Sequence, residues 1–196
     1  MRADNRAVRR LACFSAAVLA GGVLVASGAG GPTTPIALYR ALITAPIPPS
    51  SFPSGFSPPV GAQKIAASPD STGHHVVGVV QIFLNGGAYR GVAYAAGAYF
   101  DVFPNRQDAL ADYRAEPGAS RAVSLTSFPS PARSVTSSLP NGGIRYLGVE
   151  FVDRNVKVFS YVTNRGENPL PRNALALAVS LGKAMLKHIE HVRGPG

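Results

Sequence analysis

The chain has 196 residues, 46% of them hydrophobic, and a single cysteine, Cys13. With 19 Lys and Arg against 10 Asp and Glu it carries a net charge of +9. This size supports one domain with a real core. One cysteine excludes an intrachain disulfide framework. Basic residues spread along the chain, with no nucleic-acid-binding motif among them, exclude nucleic acid as a partner.

Arg2, Arg6, Arg9 and Arg10 precede a run from Leu11 to Gly31 that holds no charged residue. A basic head followed by an apolar run and small residues has the form of a secretory signal peptide. Ala26-Ser27-Gly28 and Gly28-Ala29-Gly30 each offer a small-x-small cleavage site. A helix needs roughly 20 apolar residues to span a bilayer, so a retained anchor is the alternative. Arg9-Arg10 leaves the twin-arginine route open beside the general one. Cys13 begins the apolar run instead of ending it, which argues against lipidation. Without Arg2, Arg6, Arg9, Arg10 and Asp4 the chain keeps 15 basic and 9 acidic residues, a net of +6. Such a domain is drawn to anionic partners such as lipid headgroups or acidic envelope polymers.

The segment from Gly30 to Pro59 is rich in Pro, Gly, Ser and Thr. Within it, Pro35–Ala45 predicts a short helix with Pro35 in its first turn and Leu38 and Leu42 inward. An extended segment follows, with Phe52 and Phe56 as apolar pins. His74–Leu84 predicts a buried strand ended by the turn Asn85–Gly87, and Gly97–Phe103 a second strand. Pro104–Gly118 predicts a helix capped by Asn105, with Ala109, Leu110 and Tyr113 inward and Asp112 solvated. Arg121–Phe128 reads as a strand and Pro129–Gly143 as a loop or lid. Gly143–Thr163 predicts a hairpin around Asp153-Arg154-Asn155. Its second strand sets Val156, Val158 and Val162 on one face and Lys157, Phe159 and Tyr161 on the other. Arg172–Val192 predicts a last helix, with Leu175, Val179, Gly182, Leu186 and Ile189 inward and Ser180, Lys183, Lys187 and Glu190 outward.

The expected fold class is α+β: an antiparallel sheet with helices packed on one face, preceded by an N-terminal signal or anchor helix. The expected organisation is a signal or anchor at 1–29, a lead-in with a short helix at 30–62, and one α+β domain at 63–193. Two stretches carry a resemblance. "LYRALITAPIPPSSFPSGFS" (Leu38–Ser57) resembles the opening of many exported actinobacterial domains. "DRNVKVFSYVT", followed by "ALALAVSLGKAMLKHIEHV", resembles their closing hairpin and helix. The likeness is to secreted or membrane-tethered mycobacterial proteins, including sensor-like extracellular domains. It implies an extracytoplasmic place and a fold type and transfers no site residue. Many of those proteins carry paired or lipid-anchored cysteines, which this chain lacks.

Motifs that bear chemistry are sparse. His188 and His191 stand at i and i+3, a spacing able to share a metal, but a third ligand is needed, and His74 or His75 is the obvious source of more imidazole. A histidine in a last helical turn is favoured by the helix dipole without any metal. Ser180-Leu181-Gly182-Lys183 matches a Ser-x-x-Lys spacing, yet it falls mid-helix without the partner motifs. Gly118–Ala122 runs from helix into strand, the reverse of a nucleophile elbow. No cofactor motif is present. The expected role is an exported, non-catalytic binding or sensor-like module for an amphiphile or an anionic envelope component. Lys157, Phe159 and Tyr161 are its candidate ligand-binding residues, and residues 11–29 meet the membrane at least in transit. A small secreted hydrolase is the alternative.

Overall fold

The computed structural model describes residues 31–52, 54, 66–68, 75–89, 92–115, 119–121, 125–138, 144–164 and 170–194. The signal or anchor expected at 1–29 and Phe56 lie outside them. Among the described residues, no helix is long and apolar enough to cross a membrane.

The elements in chain order are α1 (Pro35–Thr44), a 3-10 turn (Pro49–Ser51), β1 (Ala66–Ser68), β2 (Gly78–Tyr89), β3 (Val92–Val102), α2 (Arg106–Ala115), β4 (Ala119–Arg121), β5 (Ala132–Ser138), β6 (Ile144–Asp153), β7 (Val156–Asn164) and α3 (Ala174–Arg193). The strands form one antiparallel sheet in the order β1-β2-β3-β7-β6-β5-β4. Five strands are long, and β1 and β4, three residues each, close its two edges. The fold is α+β.

Local chemistry sets the helix starts. Thr34 caps α1, its Oγ1 accepting from the Ala37 amide at 3.2 Å, and Pro35 follows in the first turn. Asn105 caps α2 reciprocally: its Oδ1 accepts from the Asp108 amide at 3.0 Å, and its Nδ2 donates to Asp108 Oδ2 at 2.9 Å. Arg154, at φ +53°, turns β6 into β7. Asn155 then holds that turn to the start of α2, donating from Nδ2 to the Phe103 carbonyl at 2.9 Å.

The main core lies between one sheet face and the helices α1 and α3. Val80, Ile82, Ala98, Phe100, Phe151, Val156, Val158 and Val162 meet Leu38, Leu42, Leu181, Met185 and Ile189 there. Leu38 and Leu42 bind the lead-in helix into the domain itself. Ser160 Oγ donates to the Ala178 carbonyl at 2.8 Å. A Cβ on Gly182 would stand 2.8 Å from Ser160 Oγ and 3.1 Å from the Phe128 ring, so glycine lets α3 approach the sheet closely.

Several expectations need correction. The helices do not share one face. Lys157 alternates with Val156 and Val158, so it points away from α3, and its ammonium pairs with Asp112 of α2. α2 therefore packs on the opposite face, with Phe103, Ala109, Tyr113 and Val152 forming a small second core. Asp112, expected to be solvated, is buried there. Asn85–Gly87 does not end β2: the strand runs on to Tyr89, and a register shift between Asn85 and Ala88 absorbs the irregularity. Of the strand expected over Arg121–Phe128, Arg121 ends β4, residues 122–124 lie outside the described ones, and Leu125–Phe128 is a turn closed by Phe128 N donating to the Leu125 carbonyl. The expected loop or lid at Pro129–Gly143 contains β5, paired with β6 from Ala132 to Ser138. The buried line of α3 is Ala174, Ala178, Leu181, Gly182, Ala184, Met185, His188 and Ile189, with Leu175, Val179 and Leu186 only half-buried at its margin.

Candidate functional site: an aromatic sheet face

The sheet face that carries α2 is best described in rows across the strands. Nearest the β6–β7 turn stand Val79, Asp101, Lys157 and Val152. The next row is Gln81, Tyr99, Phe159, Glu150 and Arg133, and the third is Phe83, Gly97, Tyr161, Gly148 and Val135. Tyr146 and Thr163 follow.

The first row and the β6 and β5 end of the second form one charged network. Lys157 Nζ pairs with Asp112, with Asp101 Oδ2 at 3.2 Å and with Glu150 Oε1 at 3.7 Å. Arg133 donates to Glu150 Oε2 at 2.6 Å from Nε and to the Tyr113 carbonyl at 2.8 Å, and its guanidinium lies 4.1 Å from the Tyr113 ring centre. Every carboxylate of the cluster is at most 4% exposed. Two cations among three carboxylates hold α2 onto the sheet, because opposite charges out of water must find one another.

Alongside and beyond this network, from Tyr99 and Phe159 onward, the face is aromatic. Phe159 and Tyr161 lie 5.3 Å apart between ring centres and within 17° of parallel. Tyr99 lies 6.2 Å from Phe159 and 5.6 Å from Tyr161. Tyr146 sets its edge to both, at 5.6 and 6.4 Å. Glycine makes room for this arrangement. A Cβ on Gly97 would stand 2.4 Å from the Tyr161 hydroxyl, and one on Gly148 would stand 2.5 Å from the Phe159 ring. Each ring therefore leans over a neighbouring strand's glycine and lies low on the sheet. None of these four rings belongs to either core. Tyr99, Tyr146 and Phe159 are half-buried, Tyr161 is buried, and Phe83 beside them is exposed.

One polar side chain sits among the rings. Gln81 is 2% exposed, and among the described residues neither of its amide atoms has a partner at hydrogen-bond geometry. It stands close enough to the Tyr161 hydroxyl, as does Tyr99, to favour phenolate there. Burial outweighs both and raises the Tyr161 pKa, so the phenol stays protonated.

The sequence-derived candidates divide here. Phe159 and Tyr161 belong to the aromatic face. Lys157 does not: it is 2% exposed and engaged by carboxylates, so its ammonium is not presented to an anionic headgroup. His188 and His191 diverge. His188 is buried, its ring 6.1 Å from that of Phe100 and its Nε2 3.4 Å from the Leu42 carbonyl oxygen, whereas His191 is exposed. Among the described residues no group of three or more His, Cys, Asp or Glu is placed to hold a metal ion. Tyr99, Tyr146 and Gln81 were not foreseen, because they reach the site only through the strand order.

Burial lowers the His188 pKa below 6.5, the Leu42 carbonyl partly offsets this, and His191 lowers it further. The unfolded chain then binds a proton at a pH where the folded chain does not. His188 thus contributes stability in full above about pH 6.5, and that contribution is lost as pH falls below it. Unfolding free energy measured from pH 8 to pH 5 should decline, and His188→Gln should flatten that decline. An unchanged slope would show that another group sets it.

A cavity of about 310 Å³ lies elsewhere, lined by Thr33, Thr34, Pro104, Arg154, Asn155 and Arg193 among others. Arg193 is committed there to Asp153 and, at 3.1 Å, to Asn155 Oδ1. The aromatic face, not this cavity, gathers side chains of one chemical kind.

No family model, curated protein or solved structure matches this chain. The functional reading therefore rests on the chain's own residues.

Proposed function

We propose that this protein is an exported, non-catalytic binding module that takes an amphiphile on its aromatic sheet face. The observation that carries the reading is the set of contacting rings, Tyr99, Tyr146, Phe159 and Tyr161, outside both cores. Aromatic rings offer large rigid apolar area with little side-chain entropy to lose on binding. Export is supported by the basic head and the uncharged run Leu11–Gly31. The excess of positive charge draws the module toward anionic envelope surfaces by long-range attraction; Lys157 takes no part in that contact.

Native mass spectrometry of the protein purified from its own envelope tests the proposal. The expected result is a lipid-sized adduct on the wild type that is lost from Phe159→Ala. No adduct, or one that persists unchanged in the variant, would overturn it.

A further inference from the structure

We infer that the head of the amphiphile is uncharged and bears hydroxyl groups, and that Gln81 is the residue that recognises it. This inference rests on the aromatic face being the ligand surface. Two observations carry it. The first is the orphaned carboxamide. Gln81 is almost fully buried, and among the described residues neither its donor nor its acceptor has a partner at hydrogen-bond geometry, the Tyr161 hydroxyl standing nearby. A buried polar group left unmatched is costly, and folding alone gives no reason to keep one where leucine or methionine would fit. A ligand group that both donates and accepts would complete it, and a hydroxyl does both. The protonated Tyr161 phenol beside it belongs to the same uncharged set.

The second observation is the placement of charge. On this face, among the described side chains of β2, β3, β5, β6 and β7, the charged groups are Asp101, Lys157, Glu150 and Arg133. They are bound to one another or to Asp112 in one network. Tyr99 and Phe159 share their row with Glu150 and Arg133, whose charges are spent on each other and on Lys157; the next row, Phe83, Gly97, Tyr161, Gly148 and Val135, and Tyr146 beyond it carry no formal charge. A phosphate or ammonium head seated on Tyr161 and Tyr146 would give up its hydration beside charges already engaged with one another. A sugar-like head suits such a surface: its C–H faces lie on aromatic rings and its hydroxyls meet an amide.

Three dissolved amphiphiles with the same chain make the test: octyl glucoside, octyl phosphate and octyltrimethylammonium, each titrated below its micelle-forming concentration. Octyl glucoside is expected to bind most tightly. Gln81→Met, of matching length, should weaken octyl glucoside roughly tenfold or more. It should leave thermal stability unchanged or raised, because it removes an unsatisfied buried group. If none of the three binds, the aromatic face is not an amphiphile site and the proposed function fails. If a charged head binds as well as glucoside or better, the proposed function stands and this inference fails. Unchanged glucoside affinity in Gln81→Met overturns it, and so does a clear loss of thermal stability, since the fold itself would then satisfy the amide.

Discussion

Lys157→Met should be among the most damaging single substitutions in this chain, costing about 3–5 kcal/mol of unfolding free energy. The ammonium sits 2% exposed between Asp101, Asp112 and Glu150. Its removal leaves those three carboxylates buried with Arg133 as the sole remaining cation of the cluster, and Arg133 is already held by Glu150. The cost comes from stranding negative charge more than from losing the attraction itself. For the same reason, Lys157→Met combined with Asp112→Leu should cost clearly less than the two single losses added, by about 0.5–3 kcal/mol. Denaturant unfolding at neutral pH measures all three variants. A loss under about 1 kcal/mol for Lys157→Met, as for a solvated pair, would contradict the buried network.

The second large effect is expected in α3. Met185 is fully buried in the main core, and Met185→Ala should cost about 2–5 kcal/mol through lost burial and the cavity left behind. Leu186, one residue on, is half-buried at the edge of the same core and should cost distinctly less when cut to alanine. Lys187 is exposed, and Lys187→Ala should stay within about 0.5 kcal/mol. Equal losses at Met185 and Leu186 would mean that the helix is turned by one position about its axis.

That rotation is also where periodicity misled. The apolar stripe Leu175, Val179, Leu186 follows the large residues of α3. Gly182 and Ile189 of the expected stripe are buried, but the rest of the inner face is built on Ala174 and Ala178, which let the helix lie close, with Leu181 and Met185 beside them. The capped helices α1 and α2 and the β6–β7 hairpin were legible because each rests on a local signal: a cap, a first-turn proline, a tight turn. β5 was not legible. Its stretch is rich in serine and flanked by proline, and its inward Ser134 is polar yet buried. Asp112 looked solvated because its partner, Lys157, lies 45 residues away in sequence.

The site was legible by half. Alternation along β7 alone sets Phe159 and Tyr161 on a common face with Lys157. The separation of that face into a charged row under α2 and an aromatic remainder depends on where α2 docks. The approach of Tyr99, Tyr146 and Gln81 depends on β7 lying between β3 and β6. Neither is encoded in a local window. The same tertiary facts take Lys157 off the proposed ligand surface and bring a neutral glutamine, Gln81, to it.

The central claim is that the two faces of the sheet differ in kind, one a packed core and the other, beyond α2 and its small core, the proposed ligand surface. Amide and methyl chemical shifts followed during an octyl glucoside titration test it most directly. The account predicts saturable shifts at Gln81, Tyr99, Tyr146, Phe159 and Tyr161, with Ala178, Met185 and Leu42 unmoved. Saturable shifts centred on α1 and α3 with the aromatic rows silent would contradict it.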